Sequence, residues 1–239
     1  LQITTLKITA FSLNKNLCPL SSNSKVIIDN QEMAYADHYV KNNGTWEIAN
    51  IAQTSLRKRH GLQGPIDDAF MESFLIVTPT GRPQANPNVT DWIATQQADA
   101  IYQWKMQFRG QPRVKTDTDV TDDDIRNHNL ALWGDPTSNA LLKKVAPNLP
   151  IQWHQDQIAV GSQTFTTDKH LPVFVFPNPL NPERYVVINS GFTFAANGSQ
   201  SNSTQTPKLP DWAIVDITAP AYDPLRVVAA DFFGEYWEL

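Results

Sequence analysis

Cysteine is almost missing from this chain: Cys18 is the only one in 239 residues, so no internal disulfide can staple the fold. A lone thiol in such a context reads as a small apolar filler. Basic charge is also scarce, with 19 Lys and Arg against 24 Asp and Glu and a net charge of −5. No Lys/Arg stripe is present to release counterions from a phosphate backbone, which excludes nucleic acid as a partner. No apolar run reaches the roughly 18 residues that a membrane-spanning helix needs. The chain opens Leu1-Gln2-Ile3 without Met, a basic leader or an apolar leader core. It therefore reads as a mature fragment whose targeting segment was removed or lies upstream. Neither G-x-G-x-x-G nor a P-loop occurs, and the five histidines form no H-x-x-H or H-E-x-x-H spacing. The expectation is no cofactor and no metal. G-x-S-x-G is missing too, so no nucleophile elbow is advertised.

What is present describes a globular chain, 41% apolar and 18% charged. Its length suits one large or two smaller domains, and two unequal parts are expected. Residues 1–56 read as short strands. Ile3, Leu6, Ile8, Phe11 and Leu13 approximate alternation, Val26-Ile27-Ile28 runs into an Asp29-Asn30 turn, and Trp46-Glu47-Ile48 follows Asn42-Asn43-Gly44 as a hairpin would. Three or four short strands are too few for a core of their own, so this segment is expected to pack either on the rest of the chain or on a larger β domain preceding it. Arg57-Lys58-Arg59-His60-Gly61 reads as a solvated linker at the boundary.

Residues 57–239 follow a different grammar. Phe74-Leu75-Ile76-Val77 is a strand stopped by Pro79 and Gly81. Thr90-Asp91 opens a helix with Ile93, Ala100, Ile101, Trp104 and Phe108 on one stripe, ended by Gly110 and Pro112. Thr121 with three following Asp predicts a capped short helix before Leu130-Ala131-Leu132-Trp133, and Asp135-Pro136 predicts a helix from Thr137 to Ala146. A hairpin from Ile151 to Thr166 and buried strands at Val173–Phe176, Tyr185–Ile188 and Ala213–Val215 complete the pattern, with a Ser/Asn/Gln-rich surface loop over 195–207. Strand and helix in alternation predict an α/β fold of three layers, a flavodoxin-like, mostly parallel sheet with an added hairpin, preceded by the short β-strand region.

Candidate chemistry is thin. Asp117, Asp119, Asp122, Asp123 and Asp124 place five carboxylates in eight residues, but without the glycine and terminal Glu of a calcium loop, so capping explains them. Asn43, Asn88, Asn197 and Asn202 head N-x-[ST] triplets of the kind that Asn- and Thr-rich loops produce by chance. The loop Gly134 to Asn139 leads from a strand end into a helix, where open parallel sheets bind ligands. Asp135 there disfavours phosphate, leaving Ser138 and Asn139 to face a neutral polar ligand or none. Arg82, after the Phe74 strand, is placed at the same rim. Asn178 and Asn181 in two Asn-Pro steps, and Ser190 after a buried strand, complete the expected small-ligand rim. Catalysis by Ser190 requires His128 or His154 to fold against it, and no catalytic residue is assigned.

Several blocks together carry a resemblance. Gly64-Pro65-Ile66-Asp67-Asp68-Ala69-Phe70, the run from Asn129 to Asn139, Pro177-Asn178-Pro179-Leu180-Asn181-Pro182 and Tyr185 to Gly191 stand in that order, followed by Pro207 to Ala213 and Phe232-Phe233-Gly234-Glu235. They resemble the C-terminal region of large secreted bacterial prolyl-oligopeptidase-like proteins, over residues 57–239. The resemblance implies that a serine-triad module lies elsewhere in such a polypeptide, that residues 1–56 are the end of a preceding β domain, and that the location is periplasmic or secreted. This region would then be a non-catalytic accessory or interaction module, whose partners are a linked or neighbouring hydrolase domain and a small molecule or peptide. The other reading is a stand-alone small-ligand-binding domain.

Overall fold

The structure, a computed structural model, describes residues 1–14, 16–17, 20–21, 23–49, 56–83, 87–194, 206–218 and 225–239, with 87 and 88 described by their backbone alone. Cys18, Asn197, Asn202 and most of the 195–207 stretch lie outside the described residues, as does the side chain of Asn88. The chain divides into two compact units, Leu1–Thr54 and Ser55–Leu239.

The first unit is two three-stranded sheets. β1 (Gln2–Ile3), β3 (Lys25–Ile28) and β4 (Gln31–Ala34) form one; β2 (Ala10–Ser12), β5 (His38–Asn42) and β6 (Thr45–Ile48) form the other. Asn43 and Gly44 both take positive φ, the geometry a two-residue hairpin turn demands, and so join β5 to β6. Among the described residues its buried core is Val26, Ile28, Tyr39 and Trp46, with Phe11 stacked on Tyr39 at 5.3 Å. Polar stitching supplements it. The Asp29 carboxylate accepts from Thr5 N, Thr5 Oγ1, Lys41 Nζ and Trp46 Nε1, and those bonds hold it well below the usual carboxylate range.

The second unit is built on a seven-stranded mixed sheet. Its strands are β7 (Phe74–Thr78), β8 (Val114–Thr116), β9 (Asn129–Leu132), β13 (His170–Asn178), β14 (Asn181–Ile188), β15 (Trp212–Asp216) and β16 (Arg226–Asp231), in the order β16-β15-β13-β14-β9-β7-β8. The pairs β14·β9, β9·β7 and β7·β8 are parallel, whereas β13 runs antiparallel to both β14 and β15, and β16 antiparallel to β15. A separate antiparallel sheet holds β10 (Gln152–Trp153), β11 (Gln157–Val160) and β12 (Gln163–Thr166).

This overturns the flavodoxin-like, three-layer α/β expectation. The chain is mostly β, 36% strand against 19% helix. Among the described residues the only long helix is α1 (Pro87–Phe108, 22 residues); α2 (Asp122–Asn127) and α3 (Ala140–Val145) have six residues each. The physical reason lies after Asn148. Asn178-Pro179-Leu180-Asn181 turns β13 directly into β14, with Asn178 Oδ1 accepting from Leu180 N at 2.9 Å, so two strands expected to be linked by crossovers form a hairpin.

The helix ends also differ from expectation. α1 begins at Pro87, ahead of Thr90, as a residue with no N–H to satisfy allows. α3 begins at Ala140 because Asp135 closes a tight turn of its own, leaving Asn139 as the N-cap. α2 carries the capping box: Thr121 Oγ1 accepts from Asp124 N, and Asp124 Oδ2 accepts from Thr121 N at 2.8 Å. Thr121→Ala is expected to lower stability by about 1 kcal/mol and Thr121→Ser to leave it nearly unchanged, as read by urea midpoints.

The basic run at 57–59 is not a solvated linker. Lys58 pairs with the fully buried Asp211 at 2.5 Å, Arg59 with Glu183 at 2.5 Å, and Arg57 with Glu235, so the run is fastened to β14, to the residue before β15 and to the segment after β16.

Candidate functional site

α1 is anchored by aromatic rings. Trp104 meets Phe74 at 4.5 Å and Phe192 at 5.6 Å, and Phe108 meets Phe192 at 5.7 Å, fixing the helix against β7 and the segment after β14. Gly191 lets it come close, since a Cβ there would lie 2.5 Å from the Ala100 Cβ. The polar side chains on that face, Gln96, Asp99 and Gln103, follow Trp92 at helical spacing. Together with the carboxyl ends of the parallel strands β9 and β14, α1 encloses a cleft of about 220 Å³. Trp133 and the Asn189–Thr193 segment supply its strand-end side, and Lys208, Leu209, Leu225 and Val227 contribute the remainder.

The strand-end side is rigidly held. Asn189 is buried with φ +52°, and its amide bonds both polar groups of Gly134, accepting from the N–H at 2.8 Å and donating to the carbonyl at 2.9 Å. Asp67 holds the next residues, accepting from Thr193 N, Thr193 Oγ1 and Phe194 N. Burial pushes the Asp67 carboxyl above its ordinary value, against the opposing effect of those bonds and the Lys208 charge. Ser190 Oγ donates to the Gly191 carbonyl at 2.8 Å. The Trp133 indole N–H is buried and meets no acceptor among the described residues.

Of the residues expected from sequence, only Ser190 lines this cleft. Asp135, Ser138 and Asn139 are occupied by their own loop. Asp135 Oδ1 accepts from Thr137 N, Thr137 Oγ1 and Ser138 N, Ser138 Oγ accepts from Asp135 N, and Asn139 caps α3 while donating to the Trp133 carbonyl. Arg82 is exposed beside Gly81, whose N–H bonds Ser138 O at 2.9 Å. Asn178 and Asn181 sit at the β13–β14 turn, the opposite end of β14 from Ser190. Eight residues at roughly 3.3 Å each separate the ends. Asn181 Nδ2 there donates to Ile125 O at 3.0 Å. The expected single rim is therefore not assembled.

Nor do the histidines reach Ser190. His128 Nδ1 meets Ser73 Oγ at 2.8 Å, and His154 joins the β10–β11 turn through its backbone N–H. The acidic cluster is structural where it is buried: Asp117 Oδ1 accepts from Thr80 N, and Oδ2 from Ala140 N at the start of α3. Among the described residues no three His, Cys, Asp or Glu side chains gather as a metal site requires, and no helix is long and apolar enough to cross a membrane.

Sequence reasoning missed Trp92, Gln96, Asp99, Gln103, Trp133, Thr193 and Lys208. The available signal was the polar run at helical spacing beside the apolar stripe of α1. Comparison with protein-family models returned no match, and comparisons with curated proteins and with solved structures likewise returned none.

Proposed function

We propose that residues 55–239 form a non-catalytic binding module, acting as an accessory to an exported serine peptidase or esterase of the bacterial prolyl-oligopeptidase-like kind. The observation that carries the binding role is the α1–β14 cleft, concave and walled by aromatic rings, with convergent polar groups at the carboxyl ends of parallel strands. Of the hydroxyls lining it, Ser190 Oγ spends its proton on the neighbouring carbonyl and Thr193 Oγ1 donates to Asp67, and neither has an imidazole partner among the described residues. The accessory context rests on the sequence resemblance. A stand-alone ligand binder would use the same cleft and differs only in whether a hydrolase domain is joined to it.

Purified chain is expected to hydrolyse neither p-nitrophenyl acetate nor prolyl p-nitroanilides above the buffer rate, with Ser190→Ala indistinguishable from the parent. Turnover that Ser190→Ala abolishes would overturn the proposal. A fragment-library titration followed by two-dimensional NMR is expected to move the Trp133 indole N–H resonance together with the Gly191 amide. Shifts elsewhere but none at these two groups would remove the cleft from consideration.

A further inference from the structure

The cleft carries more information than its position. Most of its lining surface is apolar, from Trp92, Trp133, Phe192, Leu209, Leu225 and Val227, with polar groups from Gln96, Gln103, Asn189, Ser190 and Thr193 between them, so a ligand made of hydroxyl groups throughout would set several of them against apolar wall. Its volume of about 220 Å³ is below the roughly 300–1,000 Å³ that encloses a drug-sized ligand, which selects something small. Two charges of opposite sign border it, the exposed carboxylate of Asp99 on α1 and the exposed ammonium of Lys208 on the segment leading to β15. Asp99 accepts from Gln103 Nε2 at 3.3 Å and Lys208 Nζ donates to Thr206 Oγ1 at 3.2 Å, neutral partners that leave each its charge; a dianion such as phosphate would meet Asp99, a simple cation would meet Lys208, and a molecule with both charges is complementary to both. Trp133 lines the cleft and its buried indole N–H meets no acceptor among the described residues, while Ser190 Oγ, giving its own proton to Gly191 O, keeps acceptor capacity.

Resting on the binding role proposed above, we infer that the cleft takes an α-amino acid zwitterion with a bulky apolar side chain, either free or as a short peptide of that size. Asp99 faces the ammonium group, Lys208 the carboxylate, and the aromatic walls bury the side chain. Such molecules are what a peptidase releases, so an accessory module with this specificity would hold product or sense it.

The test uses the whole chain and four probes, titrated by calorimetry and by NMR of the tryptophan indole protons. L-Phenylalanine carries both charges, 2-phenylethylamine only the ammonium, 3-phenylpropionate only the carboxylate, and methyl glucoside neither. L-Phenylalanine is expected to bind about tenfold more tightly than either singly charged analogue, since each lacks one charge-assisted contact, and methyl glucoside is expected not to bind. Asp99→Asn should remove the advantage of L-phenylalanine over 3-phenylpropionate, and Lys208→Gln its advantage over 2-phenylethylamine. Both residues are exposed, so neither change threatens the fold. Equal binding of charged and singly charged probes, or preference for the glucoside, would overturn the zwitterion inference and leave the cleft a ligand site. Failure of all four to perturb the Trp133 indole, in a protein whose fragment titration does perturb it, overturns the inference alone; failure in both experiments overturns the binding role as well.

Discussion

Replacing Lys58 by Met is expected to cost the second unit about 3–5 kcal/mol at neutral pH, because it leaves a charge buried with no counter-ion. Asp211 is 0% exposed. Its Oδ2 receives Lys58 Nζ at 2.5 Å and Phe233 N at 2.9 Å, while Oδ1 has no hydrogen-bond partner among the described residues. Lys58 also donates to the Phe233 carbonyl and lies 5.1 Å from the Trp237 ring, so its removal loosens the chain terminus as well. Burial pushes the Asp211 carboxyl above its ordinary value even with Lys58 present, and the Lys58 bond and charge oppose that rise.

The pH dependence follows from that direction. A carboxyl whose folded value exceeds its unfolded one binds more protons in the native state between the two values, so stability rises as pH falls through that window. Losing Lys58 widens the window upward. The deficit of Lys58→Met, measured against the parent by urea unfolding with tryptophan fluorescence, should therefore shrink on going from pH 7 to pH 5. Adding Asp211→Asn should restore most of it at pH 7, because the double variant buries no net charge. A deficit below about 1 kcal/mol, or one indifferent to both pH and the second substitution, would mean that the pair is no more than an exposed surface contact.

The sequence made the local elements legible and their assembly only partly so. The Ile93–Trp104 stripe and the buried runs of β7 and β9 carry their own periodicity, and helix and strands form there. The hairpin between β13 and β14 was not legible, because a run such as Val173-Phe174-Val175-Phe176, covered on both faces, looks alike in a parallel and an antiparallel sheet. Pro172 and Pro177 even argue against a central strand, yet both are paired in β13, the second beside a bulge. β16 escaped because Arg226–Asp231 is an exposed edge with no alternation to read.

The site failed for a different reason. The expected rim required the strand ends to converge, but antiparallel pairing sends the Asn178–Asn181 turn to the far end of the sheet. The capping demands of α3 consume Asp135, Ser138 and Asn139 internally. The cleft is instead assembled from α1, Trp133, the 189–193 segment, Lys208 with Leu209, and Leu225 with Val227 of β16, five pieces separated in the chain, so no local pattern could join them. Lys58 shows the same limit, since a basic run beside a boundary looks solvated until the carboxylate that buries it is known.

Asn189→Ala is expected to cost about 3 kcal/mol or more, from two separable causes. The first is lost pairing. Among the described residues Asn189 satisfies both the Gly134 N–H and its carbonyl across the β9–β14 strand ends, and burying either group without a partner costs on the order of 1–3 kcal/mol. The second is conformation, since Asn189 sits at φ +52°, where alanine is roughly 1–2 kcal/mol strained and asparagine is better tolerated. Asn189→Gly removes the bonds but relieves the strain, so glycine should be the more stable of the two by about 1 kcal/mol, the reverse of their order in an ordinary helix or strand. Thermal unfolding of both variants reads the difference, and alanine equal to or better than glycine would show that the left-handed backbone is not maintained. Because Asn189 and Trp133 both line the cleft and Gly134 joins them, Asn189→Gly should also weaken L-phenylalanine binding while the protein remains folded. Stability and ligand affinity thus meet at one amide, the group that keeps the ends of two parallel strands in register beneath α1.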